Sequence, residues 1–137
     1  MGWPVFPLHG KNPFKDSQRY KSATVNEQQI QSWWTRHPTT NSSFATGERS
    51  RILVLDIDPP EGYYSLKELQ ATYGQLPQTR TVGTANKGIH YYFQYPTDGQ
   101  TNKNAVGLQG LAGVDIRVTG GYVVLSPCKL YGRLSYV

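Results

Sequence analysis

The chain has 137 residues, a formal net charge of +5 and a sequence pI of about 9.4, a length that suits one domain around one core. No apolar stretch reaches the roughly 18 residues of a membrane span, and Met1-Gly2-Trp3-Pro4 lacks the charged-then-apolar design of a secretory signal, so a cytoplasmic protein is the default expectation. The single cysteine, Cys128, excludes an internal disulfide framework and a cysteine-rich zinc cluster, so no zinc is expected.

Residues 2–8 read as a short extended segment, because Pro4 and Pro7 forbid a helix interior. Residues 9–13 form a turn and 14–24 a polar loop. Thr24 is placed to cap a helix, with Glu27 completing a capping box and Ile30, Trp33 and Trp34 on one face. His37-Pro38 stops it. Residues 41–47 are a short strand running into a turn. Ile52 to Ile57 is an apolar run broken only by Asp56, the pattern of a buried central strand that Pro59-Pro60 ends. A second helix starts at Ser65, with Leu66, Leu69 and Tyr73 inward and Gly74 near its end. Residues 79–82 and 89–95 are strands around an Asn86-Lys87-Gly88 turn. Residues 97–112 are a polar loop. Residues 114–118 and 122–125 flank Thr119-Gly120-Gly121 as a hairpin. This order argues for an α+β fold with helices on one side of a largely antiparallel sheet.

Nine carboxylates are present, and Asp56, Asp58 and Asp115 sit within apolar runs. Ionised carboxylates are rarely buried unless paired or bound to metal. Asp56 and Asp58 alternate with Ile57, so both point to one face of a strand, roughly 6.6 Å apart along it. Two carboxylates on one buried face repel each other, and a hard divalent cation removes that cost. Asp115 has a similar apolar setting, with Arg117 on the same face. If the two strands are neighbours, three carboxylates converge and two metal ions can be held, the arrangement that suits in-line phosphoryl displacement. Each aspartate alone has a plainer reading, as a strand end or an arginine partner; the three together favour metal.

Thr84-Ala85-Asn86-Lys87-Gly88-Ile89-His90 is a second constellation. Its turn offers backbone N–H groups as an anion cradle, Lys87 adds charge, and His90 can donate to a triphosphate oxygen, the plainer alternative being a core or edge histidine bonded to a backbone carbonyl. Lys11, Arg49, Arg51, Arg80 and Arg117 are candidate rim cations. A basic balance suits a nucleic-acid partner, whose phosphates release counterions on binding.

These motifs resemble the N-terminal catalytic domain of bifunctional primase–polymerases, in the archaeo-eukaryotic primase superfamily. The resemblance covers nearly the whole chain. It begins at Gly2-Trp3-Pro4-Val5-Phe6-Pro7-Leu8 with Lys11 and Pro13, and continues through Trp33-Trp34, Pro38 and Ala45-Thr46-Gly47. Leu55-Asp56-Ile57-Asp58-Pro59 is similar to the family's first motif, Thr84 with Gly88-Ile89-His90-Tyr91-Tyr92-Phe93 to the second, and Gly113-Val114-Asp115-Ile116-Arg117 with Gly120-Gly121-Tyr122-Val123-Val124 to the third. The resemblance implies an RNA-recognition-motif-like palm packed with an N-terminal α/β unit, spanning residues 1–137 as the catalytic core of a longer replication protein. It implies metal ligands Asp56, Asp58 and Asp115 for Mg²⁺ or Mn²⁺, and a triphosphate contact at His90. With Thr84, Lys87, Gly88 and Arg117 on the nucleotide and Lys11, Arg49, Arg51 and Arg80 on nucleic acid, the expected partners are single-stranded or primed DNA, nucleoside triphosphates and a fused or recruited helicase. The expected protein is a monomer that extends or initiates primers. A non-catalytic nucleic-acid-binding module and a metal-dependent nuclease are the rival readings; the first gains nothing from a negative cluster, and the second has less use for a triphosphate turn.

Overall fold

The computed structural model describes residues 2–98, 110–130 and 133–136. It is an α+β fold with two antiparallel four-stranded sheets and two α-helices. The first sheet joins β1 (Val5–His9), β2 (Asn12–Pro13), β3 (Asn41–Ala45) and β8 (Tyr122–Val124) in the order β2-β1-β3-β8. The second joins β4 (Ile52–Ile57), β5 (Arg80–Gly83), β6 (Ile89–Gln94) and β7 (Val114–Arg117) in the order β5-β6-β4-β7. Helix α1 (Glu27–Arg36) follows a 3-10 turn at Arg19–Ser22, α2 (Glu61–Tyr73) links β4 to β5, and β9 (Cys128–Leu130) pairs with β10 (Arg133–Tyr136). The polar loop expected at 97–112 lies mostly outside the described residues.

Alternation along β4 divides the core. Val54 is fully buried between the two sheets, with Phe6, Leu8, Phe44, Val82, Tyr92 and Val123. Leu55 and Ile57 point the other way and pack with Leu66 of α2 and Val114 of β7. Asp56 therefore shares a face with Val54 and looks into the space between the sheets. Pro7 is tolerated inside β1 because its side of the strand is used by Thr24 at Val5 and by β2 only from Leu8 onward, so no partner lacks a donor there.

The structure corrects several sequence expectations. One sheet becomes two. Asn26, not Thr24, caps α1, accepting the Gln29 N–H at 2.9 Å; Thr24 is held by paired backbone bonds to Val5. Helix α2 begins at Glu61, four residues before Ser65. Pro59-Pro60 ends the strand as expected and also leads into the helix, since the first turn needs no N–H donors from its prolines. Tyr73 is 77% exposed and so lies off the core face. The expected hairpin at 119–121 is a crossover. The Gly121 N–H does bond the Val118 carbonyl, but β7 pairs with β4 and β8 pairs with β3, in different sheets. Buried Val118 and Thr46 explain the switch: the Thr46 hydroxyl donates to the Val118 carbonyl at 2.7 Å and pins the crossing point.

One close approach sets the position of β7. The Gly113 carbonyl accepts the Asp58 N–H at 2.8 Å, and the Asp58 carbonyl accepts the Gly62 N–H at 2.8 Å. Gly113 has φ +73°, and a Cβ there would sit 2.4 Å from the Gly62 nitrogen and 2.6 Å from the Asp58 carbonyl oxygen. Both neighbours are backbone and cannot swing away. Gly113→Ala should cost at least about 2 kcal/mol of unfolding free energy, from strain at positive φ and displaced backbone. Urea denaturation of the variant beside the parent checks this, and an unchanged midpoint would contradict the packing described.

Candidate active site

Strand register brings the site together. Asp56 of β4 lies directly opposite His90 of β6 on one side and Asp115 of β7 on the other. Cross-strand partners share a face, so all three side chains enter the space between the sheets. Asp58 follows one alternation later, just past the end of β4. Carboxylate oxygens of Asp56, Asp58 and Asp115 lie within 4.8 Å of one another, and this is the one cluster of its kind among the described residues. The side chains of Asp56 and Asp115 are only 13% and 14% exposed, whereas Asp58 is open to solvent.

The charges respond to each other. Partial burial, then the Asp56 and Asp115 carboxylates, push the Asp58 carboxyl above its ordinary value, against the smaller opposing pull of His90 and Lys11. A raised folded-state value means that Asp58 burdens the metal-free fold as pH climbs from the ordinary carboxylate range through that value; below it the burden is absent. Arg117 Nη2 donates to Asp115 Oδ2 at 3.0 Å and stands 3.9 Å from Asp56 Oδ2. His90 Nε2 is 3.3 Å from Asp56 Oδ1, a buried atom that no hydrogen bond satisfies among the described residues. A close trio of oxygen donors, with one of their buried atoms unsatisfied, is suited to a hard divalent cation.

Most of these side chains, Asp115 excepted, line a cavity of ≈ 380 Å³ between the sheets. Asp56, Asp58, His90, Arg117 and Thr84 face it from the β4 side; Lys11, Gly120, Gly121, Tyr122, Val123 and Val124 close it from the other; Asn86 adds a corner. The expected anion cradle at 84–88 is largely used by the turn itself. Lys87 N–H donates to the Thr84 carbonyl at 3.1 Å, Gly88 N–H to Thr84 Oγ1 at 3.1 Å, and Thr84 N–H to the Gly88 carbonyl at 2.9 Å. Tyr63 holds the Lys87 carbonyl with its hydroxyl. Gly88 serves a spatial purpose: a Cβ there would lie 2.5 Å from the Ile57 carbonyl oxygen and 3.4 Å from Asp58 Oδ1. Of the predicted site residues, Asp115, Lys87 and Gly88 do not line the cavity, and neither do Arg49, Arg51 and Arg80; Asp115 stands behind its lining, within 4.8 Å of the other two carboxylates. Arg49 donates to the Ala23 carbonyl at 2.6 Å, Arg51 occupies the turn before β4, and Arg80 is exposed at the start of edge strand β5.

The cavity wall contains residues to which sequence reasoning gave no role in the site: Gly120, Gly121, Tyr122, Val123 and Val124. Their signal was present, in the Gly-Gly-Tyr-Val-Val run that closes the third motif. Reading it as a hairpin hid its role as the wall facing the carboxylates.

The family described as bifunctional DNA primase/polymerase, N-terminal, matches residues 1–136. The chain belongs to this family. Membership in the primase/polymerase family implies a nucleotidyltransferase with DNA and nucleoside triphosphates as substrates. No curated protein sequence matches the chain. Among the described residues, no helix of this primase/polymerase domain is long and apolar enough to cross a membrane.

Asp58→Asn gives a measurement with two opposite signs. Without metal the variant should melt above the parent, because a like charge is removed from the trio. With Mg²⁺ or Mn²⁺ at one hundred times the dissociation constant, the parent should gain about 2.7 kcal/mol and the variant much less. Thermal melts in chelator and in metal read both; a variant stabilised by metal as strongly as the parent would remove Asp58 from the ligand set.

Proposed function

We propose that this chain is a template-directed nucleotidyltransferase that extends, or starts, DNA primers using divalent cations. The observation that carries the reading is the convergence of Asp56, Asp58 and Asp115 from two neighbouring strands into one cluster, of which Asp56 and Asp58 line the cavity. Asp56, Asp58 and Asp115 would hold one or two Mg²⁺ or Mn²⁺ ions. When bound, such ions supply charge stabilisation for the attacking and leaving oxygens of phosphoryl transfer.

The remaining roles belong to the protein's own groups. Asp56 and Asp115 keep their carboxylates in place through strand pairing, and Asp58 through the backbone bonds to Gly113 and Gly62. Arg117 balances charge at Asp115 and Asp56, which supports a role in positioning the carboxylates beside a contact to nucleotide phosphate. His90 lines the cavity 3.3 Å from Asp56, which supports a contact to an incoming phosphate oxygen. Thr84 and Asn86 present polar groups at the same edge. Arg49, Arg51 and Arg80 lie outside the cavity, where contacts to template backbone would be independent of base sequence. The palm reading is supported by the order β5-β6-β4-β7 with α2 between β4 and β5, the topology of a split βαβ sheet.

Primer extension by purified protein, with and without metal, tests the proposal. Asp56→Ala with Asp58→Ala should lower extension by at least about a thousandfold, the scale at which charge-stabilising groups in active sites act. The double variant should keep its circular dichroism spectrum. Metal-dependent cutting of DNA without added nucleotides, in place of extension, would favour a nuclease. Extension at the parent rate by the double variant would refute the assignment.

A further inference from the structure

The cavity has two walls of unlike character. The β4–β7 wall holds the carboxylates, and its cation Arg117 is already engaged with Asp115 and Asp56. The opposite wall comes from the first sheet and carries one cationic side chain, Lys11, among the residues that line the cavity. Lys11 occupies the two-residue turn between β1 and β2, with Gly10 at φ +64°.

That turn is fastened more firmly than a surface lysine requires. Leu8 pairs with Pro13 and His9 with Asn12. Asn41 Nδ2 donates to the Gly10 carbonyl at 3.0 Å, and the Tyr122 hydroxyl makes a long 3.4 Å contact with the Lys11 carbonyl. Asn41 is buried and also grips Lys129 through both its N–H and its carbonyl. Two consecutive carbonyls at the turn's tip are thus held by side chains from β3 and β8. Lys11 thus faces the same cavity that Asp56 and Asp58 line from the other wall.

We propose that Lys11 grips the phosphates of the incoming nucleoside triphosphate from the wall opposite the carboxylates, and is not a template contact. This rests on the polymerase reading of the cavity. A polyanion drawn to cations at the carboxylates still has phosphate oxygens facing the other wall. An ammonium on a flexible stem suits that place as a point charge, and charge-assisted bonds to phosphate are the stronger kind. Anchoring the backbone of the turn lets the stem move while its base stays fixed. Tyr122 acts as a positioning residue for this turn.

The test is binding of dATP in Mg²⁺ without DNA, followed by titration calorimetry, with dAMP and a single-stranded oligonucleotide as parallel ligands. Lys11→Ala should weaken dATP binding about tenfold, the scale of one charge-assisted hydrogen bond. Its preference for dATP over dAMP should shrink, while oligonucleotide affinity and its salt dependence stay as in the parent. Lys11→Arg should retain most dATP affinity, and Tyr122→Phe should show a smaller loss in the same direction. Lys11 is exposed, so an unchanged melting temperature is expected and separates lost binding from lost folding. Parent-like dATP affinity in Lys11→Ala overturns the proposal. So does a loss confined to the oligonucleotide with a salt slope reduced by about one, which is the signature of a template phosphate contact. If the parent itself fails to bind dATP in Mg²⁺, the polymerase reading falls, and this one with it.

Discussion

Three carboxylates within 4.8 Å of one another are the constraint to which the rest of this domain answers. Left to themselves they repel, and two of them are nearly shut off from water, where repulsion is least screened. Strand pairing supplies the opposing force. Asp56 lies between His90 and Asp115 because β4 is the inner strand between β6 and β7. Backbone hydrogen bonds over six residue pairs on one side and four on the other prevent the carboxylates from drifting apart. Arg117 offsets part of the charge from the same sheet face, and His90 stands 3.3 Å from Asp56 across the strand pair.

The glycines near the site follow from the same need for closeness. Gly113 lets β7 reach the end of β4 and the start of α2, and Gly88 lets the 84–88 turn fit beneath Asp58. Side chains at either place would push backbone against backbone beside a metal-ligand candidate. The apolar faces on either side of β4 act as supports: Leu55 and Ile57 fix the strand against α2, while Val54 fixes it against the first sheet. A misplacement transmitted through either layer would reach Asp56 directly.

Much of this site was legible in the sequence. The alternation Leu55-Asp56-Ile57-Asp58 assigned both carboxylates to one face, and Asp115 with Arg117 to another strand with the same outlook; these assignments need only the period of a strand. What periodicity cannot give is the partner of a strand. Tyr122–Val124 has the same local pattern whether it folds back on β7 or crosses to β3, and the choice is made by Thr46 and Phe44, more than seventy residues earlier. For the same reason the wall opposite the carboxylates was hidden, since Lys11 and Tyr122 meet through the first sheet. The start of α2 was missed for a local reason: prolines end a strand and open a helix with equal ease.

The crossover at residues 118–121 has a consequence for how the chain acquires its shape. Strand β8 completes a sheet whose other three strands are all made within the first 45 residues, with Phe44 facing Val123. On the ribosome, β3 emerges early and keeps an open, apolar edge until nearly the whole domain has been translated. At synthesis rates of about 5–20 residues per second, that edge waits for seconds. Long-range pairings of this sort are slow to form and prone to mispairing meanwhile. Shielding of the nascent chain during that interval would therefore bear on the yield of folded enzyme as much as the stability of the finished domain does.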